Sequence, residues 1–198
     1  MPNTPDIAAL VSARICPDLI SPIGAIGNGV ELLMLDKAAA SPEMDLISES
    51  VTQASARIRF FRLAYGSGSS DQRIARSEVA ATLSAMTLNS RLQISFQTPR
   101  ELSRQEVKLA FLLLQCLESM MPWGGTVAMI NQGEQWVLNA ESTRLRNNPA
   151  LWEQLTSETG MSEVLPTSVH FTLAWQELKR LGRELRYVNT PETINLTF

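Results

Sequence analysis

Nucleophilic and metal chemistry needs side chains that this chain supplies sparingly. It holds one histidine, His170, and two cysteines, Cys16 and Cys116, far apart in the sequence. Neither thiol has a second thiol or a histidine near it, which excludes a zinc site and a disulfide framework and suits a reduced cytoplasm. No Ser/His/Asp or Cys/His arrangement can be built around Val169-His170-Phe171-Thr172-Leu173, because the imidazole has no neighbouring nucleophile. With Phe171, Ala174, Trp175, Leu178 and Leu181 as the apolar face of a helix, His170 falls roughly 90° from its centre. That is the place of a solvated or packing residue at a surface edge. No glycine-rich loop able to cradle a phosphate appears. What remains is a line of short residues, Pro17, Ser21, Gly24 and Asn28, at spacings of four, three and four along one helix. Such a line either leaves the backbone open to a close-approaching partner or lets two helices pack tightly. Arg14 and Asp18, four apart beside it, are spaced as a helical ion pair.

The elements that carry this line read as a helical hairpin. Thr4-Pro5-Asp6 supplies an N-cap, a proline for the first turn and an acid for the positive helix end. Apolar or small residues then recur at Cys16, Leu19, Ile23, Ile26, Val30 and Leu33, the 3-4-3-4-3 spacing of a heptad seam. A second start, Ser41-Pro42-Glu43, opens a helix with its own seam at Met44, Ile47, Val51, Ala54, Ile58, Phe61 and Tyr65. Gly66-Ser67-Gly68-Ser69-Ser70 follows with the composition of a flexible linker. Two helices with a short connection pack antiparallel. Two seams in one hairpin leave apolar surface that either the rest of the chain or a second copy must cover. Pro22 predicts a kink, and Pro17 a second break worth about 3 kcal/mol if the helix continues through it.

The remaining two thirds alternate strands and helices. A helix is expected from about Arg73 to Met86, then a strand at Leu92-Gln93-Ile94-Ser95-Phe96. Ser103 is placed to cap a strongly apolar helix from Arg104 to Met121, which stops at Pro122-Trp123-Gly124-Gly125. Thr126–Ile130 and Gln135–Asn139 read as a hairpin, and Ser142 to Glu163 as a polar separating segment. A helix at about Thr167 to Leu181 and strands at Glu184–Val188 and Thr193–Phe198 close the chain. At 198 residues this is one large domain or two small ones. A charged fraction of 19% and a net charge of −3 give no field to draw nucleic acid. The longest apolar runs, such as Leu109–Leu114, fall short of the ~20 residues of a membrane span. Met1-Pro2-Asn3-Thr4-Pro5-Asp6 has no basic region followed by an apolar core, so no secretory signal is expected and a cytoplasmic location is.

The run Arg14-Ile15-Cys16-Pro17-Asp18-Leu19-Ile20-Ser21-Pro22-Ile23-Gly24-Ala25-Ile26-Gly27-Asn28-Gly29-Val30-Glu31-Leu32-Leu33 resembles the signature segment of the ChpT-type histidine phosphotransferases. In that family the residue before Asp-Leu-Ile-Ser-Pro is the phosphoryl-accepting histidine, and here Pro17 stands in its place. Arg57-Ile58-Arg59-Phe60-Phe61-Arg62-Leu63-Ala64-Tyr65-Gly66 resembles the family less specifically, and beyond it the likeness is one of element order. That order also resembles the ATP-binding domain of sensor histidine kinases, closest over Leu112 to Val127. Where a kinase helix carries its magnesium-holding Asn, this chain has Gln115 or Cys116. Where the kinase strand runs into Asp-x-Gly-x-Gly, this one runs into Asn139-Ala140-Glu141-Ser142-Thr143-Arg144-Leu145.

The resemblance implies an α+β fold. Its helical hairpin (residues 1–66) would form a dimeric four-helix bundle, and residues 67–198 a degenerate kinase ATPase-like (Bergerat) sandwich. It implies a homodimer in two-component phosphorelay signalling that docks response-regulator receiver domains, with a hybrid histidine kinase as a further partner. The docking residues would be Arg14, Pro17, Asp18, Ser21, Gly24 and Asn28. No cofactor, metal, nucleic acid or membrane enters the reading, and ATP loses its contacts. Proline has no side-chain nitrogen to phosphorylate, so no intact catalytic residue remains, and Asp18 has no imidazole to orient. Two alternatives stay open: a competent phosphotransferase whose natural residue at 17 is histidine, and a dimeric scaffold with its own small ligand.

Overall fold

The computed structural model describes residues 7–35, 41–88, 90–133, 135–146, 148–159 and 165–198. The helix start expected at Thr4-Pro5-Asp6 lies outside them. The chain divides into two compact units, residues 1–67 with 81–88, and residues 68–80 with 89–198.

The first unit is built on α1 (Ile7–Leu35) and α2 (Pro42–Tyr65), which lie against each other. Their short connection makes them antiparallel. α2 begins as its sequence dictates. Ser41 is extended at the N-cap and its hydroxyl accepts from the Met44 amide at 3.4 Å, with Pro42 in the first turn. Glu43 and Asp45 lie at the positive helix end, and the Ser41 hydrogen bond lowers the pKa of the Glu43 carboxyl. The α1 seam separates into two rows, each repeating every seven residues. Cys16 and Val30 are buried and Ile23 is half-buried, whereas Leu19, Ile26 and Leu33 are 44%, 53% and 54% exposed. On α2 the deepest residues are Ala56, Ile58, Phe60, Leu63 and Ala64. Only Ile58 among these belongs to the expected seam, and Ile47 of that seam is exposed. At Gly27 a methyl group would come within 3.3 Å of Val51 Cγ1, so the two helices approach closely there.

In the second unit β2 (Leu92–Gln97), β4 (Gly125–Asn131), β5 (Trp136–Glu141), β7 (Thr193–Thr197) and β6 (Arg186–Asn189) form one sheet. They follow the order β2-β4-β5-β7-β6. β2 and β4 are parallel, as a crossover through α4 (Arg104–Met120) requires, and every other pair is antiparallel. Val127, Met129, Trp136, Leu138, Ala140, Ile194 and Leu196 form the buried face. α4 packs on β5 and against α6 (Val169–Leu181) and is buried nearly all round, which its continuous apolar run demands. Lys108 Nζ of α4 lies 3.5 Å from Glu177 Oε2 of α6, Arg180 pairs with Glu177 within α6, and Arg183, just past its end, pairs with Glu106 of α4.

Four features depart from the sequence reading. The expected helix at Arg73 starts later, because β1 (Arg73–Ala75) pairs antiparallel with β3 (Glu101–Ser103), and α3 runs Arg76–Thr87. Ser103 occupies the N-cap of α4 without a side-chain capping bond, while the Arg104 amide donates to the Gln72 carbonyl at 3.0 Å. The linker composition at Gly66 to Ser70 does not leave that segment free. Gln105 Nε2 donates to the Gly68 carbonyl at 3.1 Å and the Gly66 amide to the Arg62 carbonyl. The polar segment after β5 contains a further helix, α5 (Pro149–Thr156), which buries Trp152 and Leu155 and packs on α6.

Candidate functional site

α1 is continuous across the signature segment, so the line of short residues is presented by one helix. The helix passes through both Pro17 and Pro22, each of which withholds a backbone donor from it. The side chains at Arg14, Pro17, Asp18 and Pro22 lie outside the described ones. Along the rest of the line, Ser21, Gly24 and Asn28 are exposed, and nothing stands within 4 Å of where a Gly24 side chain would begin. Leu19 and Ile20 are exposed beside it. A partner reaching this strip meets a bare backbone edged with a hydroxyl and a carboxamide.

The line continues at its Asn28 end into an open groove of about 530 Å³ lined by Asn28, Glu31, Leu32 and Met34. Asn28 is the last short residue of the line. Glu31 and Leu32 follow it at i+3 and i+4, so the same periodicity carries the face one turn further. None of Ser21, Gly24, Asn28 or Glu31 offers a nucleophilic nitrogen. A carboxamide nitrogen has its lone pair delocalised into the carbonyl, and a helix-surface hydroxyl without a base is a poor acceptor of phosphoryl groups.

The single imidazole is not where the helical-wheel argument put it. His170 is buried, its ring centroid is 5.0 Å from that of Phe171, and Nε2 has no hydrogen-bond partner among the described residues. α6 meets α4, α5 and the 3₁₀ turn Pro166–Ser168, so its buried surface is wider than one apolar stripe. Burial holds the imidazole pKa below its ordinary 6.5. Cys116, one of the two residues that the kinase resemblance would place at a magnesium site, is fully buried, and desolvation pushes its thiol pKa well up. It therefore stays a neutral, inward-facing thiol, and Gln115 beside it is half-buried.

Residues 76–193 match the family model described as the histidine phosphotransferase C-terminal domain. The chain is 33% identical over 154 residues to the protein phosphotransferase ChpT of Brucella abortus (strain 2308), spanning 75% of this chain and 73% of that protein. A solved structure of a bacterial phosphotransferase is similar throughout, with a TM-score of 0.69 and 26% identity over 100% of this chain and 98% of that one. A histidine kinase domain from Erythrobacter litoralis superposes more loosely, at a TM-score of 0.44 and 15% identity over 80% and 88% of the two chains.

Proposed function

Because the chain belongs to the ChpT-type histidine phosphotransferase family, we propose that it docks response-regulator receiver domains on α1 without transferring phosphate. The observation that carries this reading is the residue at 17. A receiver's aspartyl phosphate is attacked by an imidazole nitrogen held in line with it, and proline's ring nitrogen is a backbone amide with no lone pair to give. The surface around that position is nevertheless open: Ser21, Gly24 and Asn28 are exposed on one unbroken helix. Docking without transfer makes the protein a competitor that holds receivers, including that of a hybrid histidine kinase, away from an active phosphotransferase.

The assembly in this reading is a homodimer. Leu19, Ile26 and Leu33 form an apolar row left in solvent by the hairpin's own packing, and a second copy of the hairpin would bury it in a four-helix bundle. The second unit is read as a kinase-like sandwich without a nucleotide: Cys116 points inward as a neutral thiol and Asn139-Ala140-Glu141 lacks the adenine-reading pattern.

Phosphotransfer tests this directly. The protein should bind a receiver domain by calorimetry and take no label from its phosphorylated form. Pro17→His should bind as well and acquire acid-labile label that passes to a second receiver. A variant that binds but never takes label would show that the site has lost more than one residue. Label on the unmodified protein that disappears in His170→Ala would overturn the reading.

A further inference from the structure

The charges of the helical hairpin are segregated along its length. α1 and α2 meet where Gly27 faces Val51 Cγ1. Because they run antiparallel, each step back along α1 matches one step forward along α2. Position 17 is therefore level with Phe61, and Arg57, Arg59 and Arg62 fall within about one turn of that level. All three arginines are exposed. In the half of the two helices around position 17 the charged residues are Arg14, Arg57, Arg59 and Arg62 against the single Asp18. In the half nearer their connection they are Glu31, Glu43, Asp45 and Glu49, with no base. The chain as a whole carries −3, so the positive end is a local feature.

Two of these arginines share a flank with the line of short residues. Arg59 and Arg62 are three apart and stand on one side of α2, whereas Arg57, two before Arg59, faces elsewhere. Counted from Val51, Arg62 and Arg59 lie roughly 20° and 80° round α2. Counted from Gly27, Gly24, Asn28 and Ser21 lie roughly 60–120° round α1 in the same sense. Equal senses of rotation on facing antiparallel helices lead to the same flank. There Ser21 and Asn28 are exposed and nothing stands within 4 Å of where a Gly24 side chain would begin. Arg59 has no carboxylate partner among the described residues. Its Nε donates to the Ser55 carbonyl at 3.3 Å, a bond that does not use the two terminal amino groups of the guanidinium. An aspartyl phosphate differs from the aspartate it is made from by about one further negative charge and by its phosphoryl oxygens, which guanidinium forks match.

We infer that Arg59 and Arg62 hold the phosphoryl group of a docked receiver, so that the protein takes the phosphorylated receiver in preference to the unphosphorylated one. The inference rests on receiver docking at α1 and adds what the docked receiver carries. With no nucleophilic nitrogen at position 17, the acyl phosphate is held there without being attacked. Calorimetry with one magnesium-bound receiver domain, with and without beryllofluoride on its aspartate, reads the preference. The unmodified protein should bind the beryllofluoride form at least about tenfold more tightly. Arg59→Gln/Arg62→Gln should reduce that preference to less than about threefold while still binding the unloaded receiver. Arg59→Gln alone, at an exposed position, should also lower the preference, and it decides the matter if the double variant does not fold. A preference that survives these substitutions overturns the inference, as does an equal loss of affinity for both forms. Saturation by acetyl phosphate alone, as tight as by the loaded receiver, would make this a free-anion site and also overturn it. Equal binding of the two forms by the unmodified protein overturns the inference and leaves docking standing, whereas binding of neither form removes docking and the inference together.

Discussion

At the scale of single residues, position 17 and position 170 divide the chemistry between them. The residue on α1 has no nucleophilic side-chain nitrogen, and the residue with an imidazole is buried. The same burial makes His170 a determinant of stability. Its folded pKa lies below 6.5 because desolvation disfavours the charged ring. The unfolded chain therefore binds the proton more readily than the folded one. This contribution to stability is complete above about pH 6.5 and is lost as the pH falls through that value toward the folded pKa. Urea unfolding at about pH 7.5 and about pH 5 should show the loss, and His170→Leu should show a smaller one. An identical pH dependence in the two proteins would remove His170 as its source.

At the scale of elements, the α4–α6 joint combines apolar packing with buried charge. Lys108 and Glu177 are both almost fully buried and face each other, and Arg180 reaches the same carboxylate. Glu177→Gln takes that carboxylate from a buried ammonium and should cost about 3 kcal/mol, by the usual penalty for breaking a buried pair. Removing both charges in Lys108→Met/Glu177→Leu should recover most of that loss, because apolar groups of similar volume need no counter-charge. Chemical denaturation of the three proteins decides it, and a double variant as unstable as the single one would mean that the pair contributes favourably. The same element level explains the missed helix α5. Its signals were present in Pro149 at the first turn and in Trp152 and Leu155 three apart, but two buried side chains in eight residues make a weak period until α6 supplies the surface that covers them.

At the scale of the whole molecule, the exposed row on α1 bears on assembly. Ile26→Glu with Leu33→Glu places two carboxylates on solvent-exposed positions, so the hairpin should keep its fold while the bundle loses its seam. Light scattering should then report the monomer mass of 21.9 kDa, and a dimer that persists would remove this row as the interface. Ile58→Glu is the contrasting case. Ile58 is buried within the chain, so the substitution should destabilise the fold itself, by about 3 kcal/mol or more, and cannot be read as an interface effect.

Local chemistry was legible in the residues alone. The Ser41-Pro42-Glu43 start, the ends of α4 and α6, and the β4–β5 hairpin follow from capping, turn residues and periodicity, which act over a few positions. The signature segment likewise carried the family. What the tertiary structure decided is what depends on residues distant in sequence. The seven-residue rows of α1 are equally apolar, and only the packing of α2 separates Cys16 and Val30 from Leu19, Ile26 and Leu33. Ile74 becomes part of a strand only because Leu102 pairs with it. His170 is buried because α6 meets three elements where its own sequence shows one stripe.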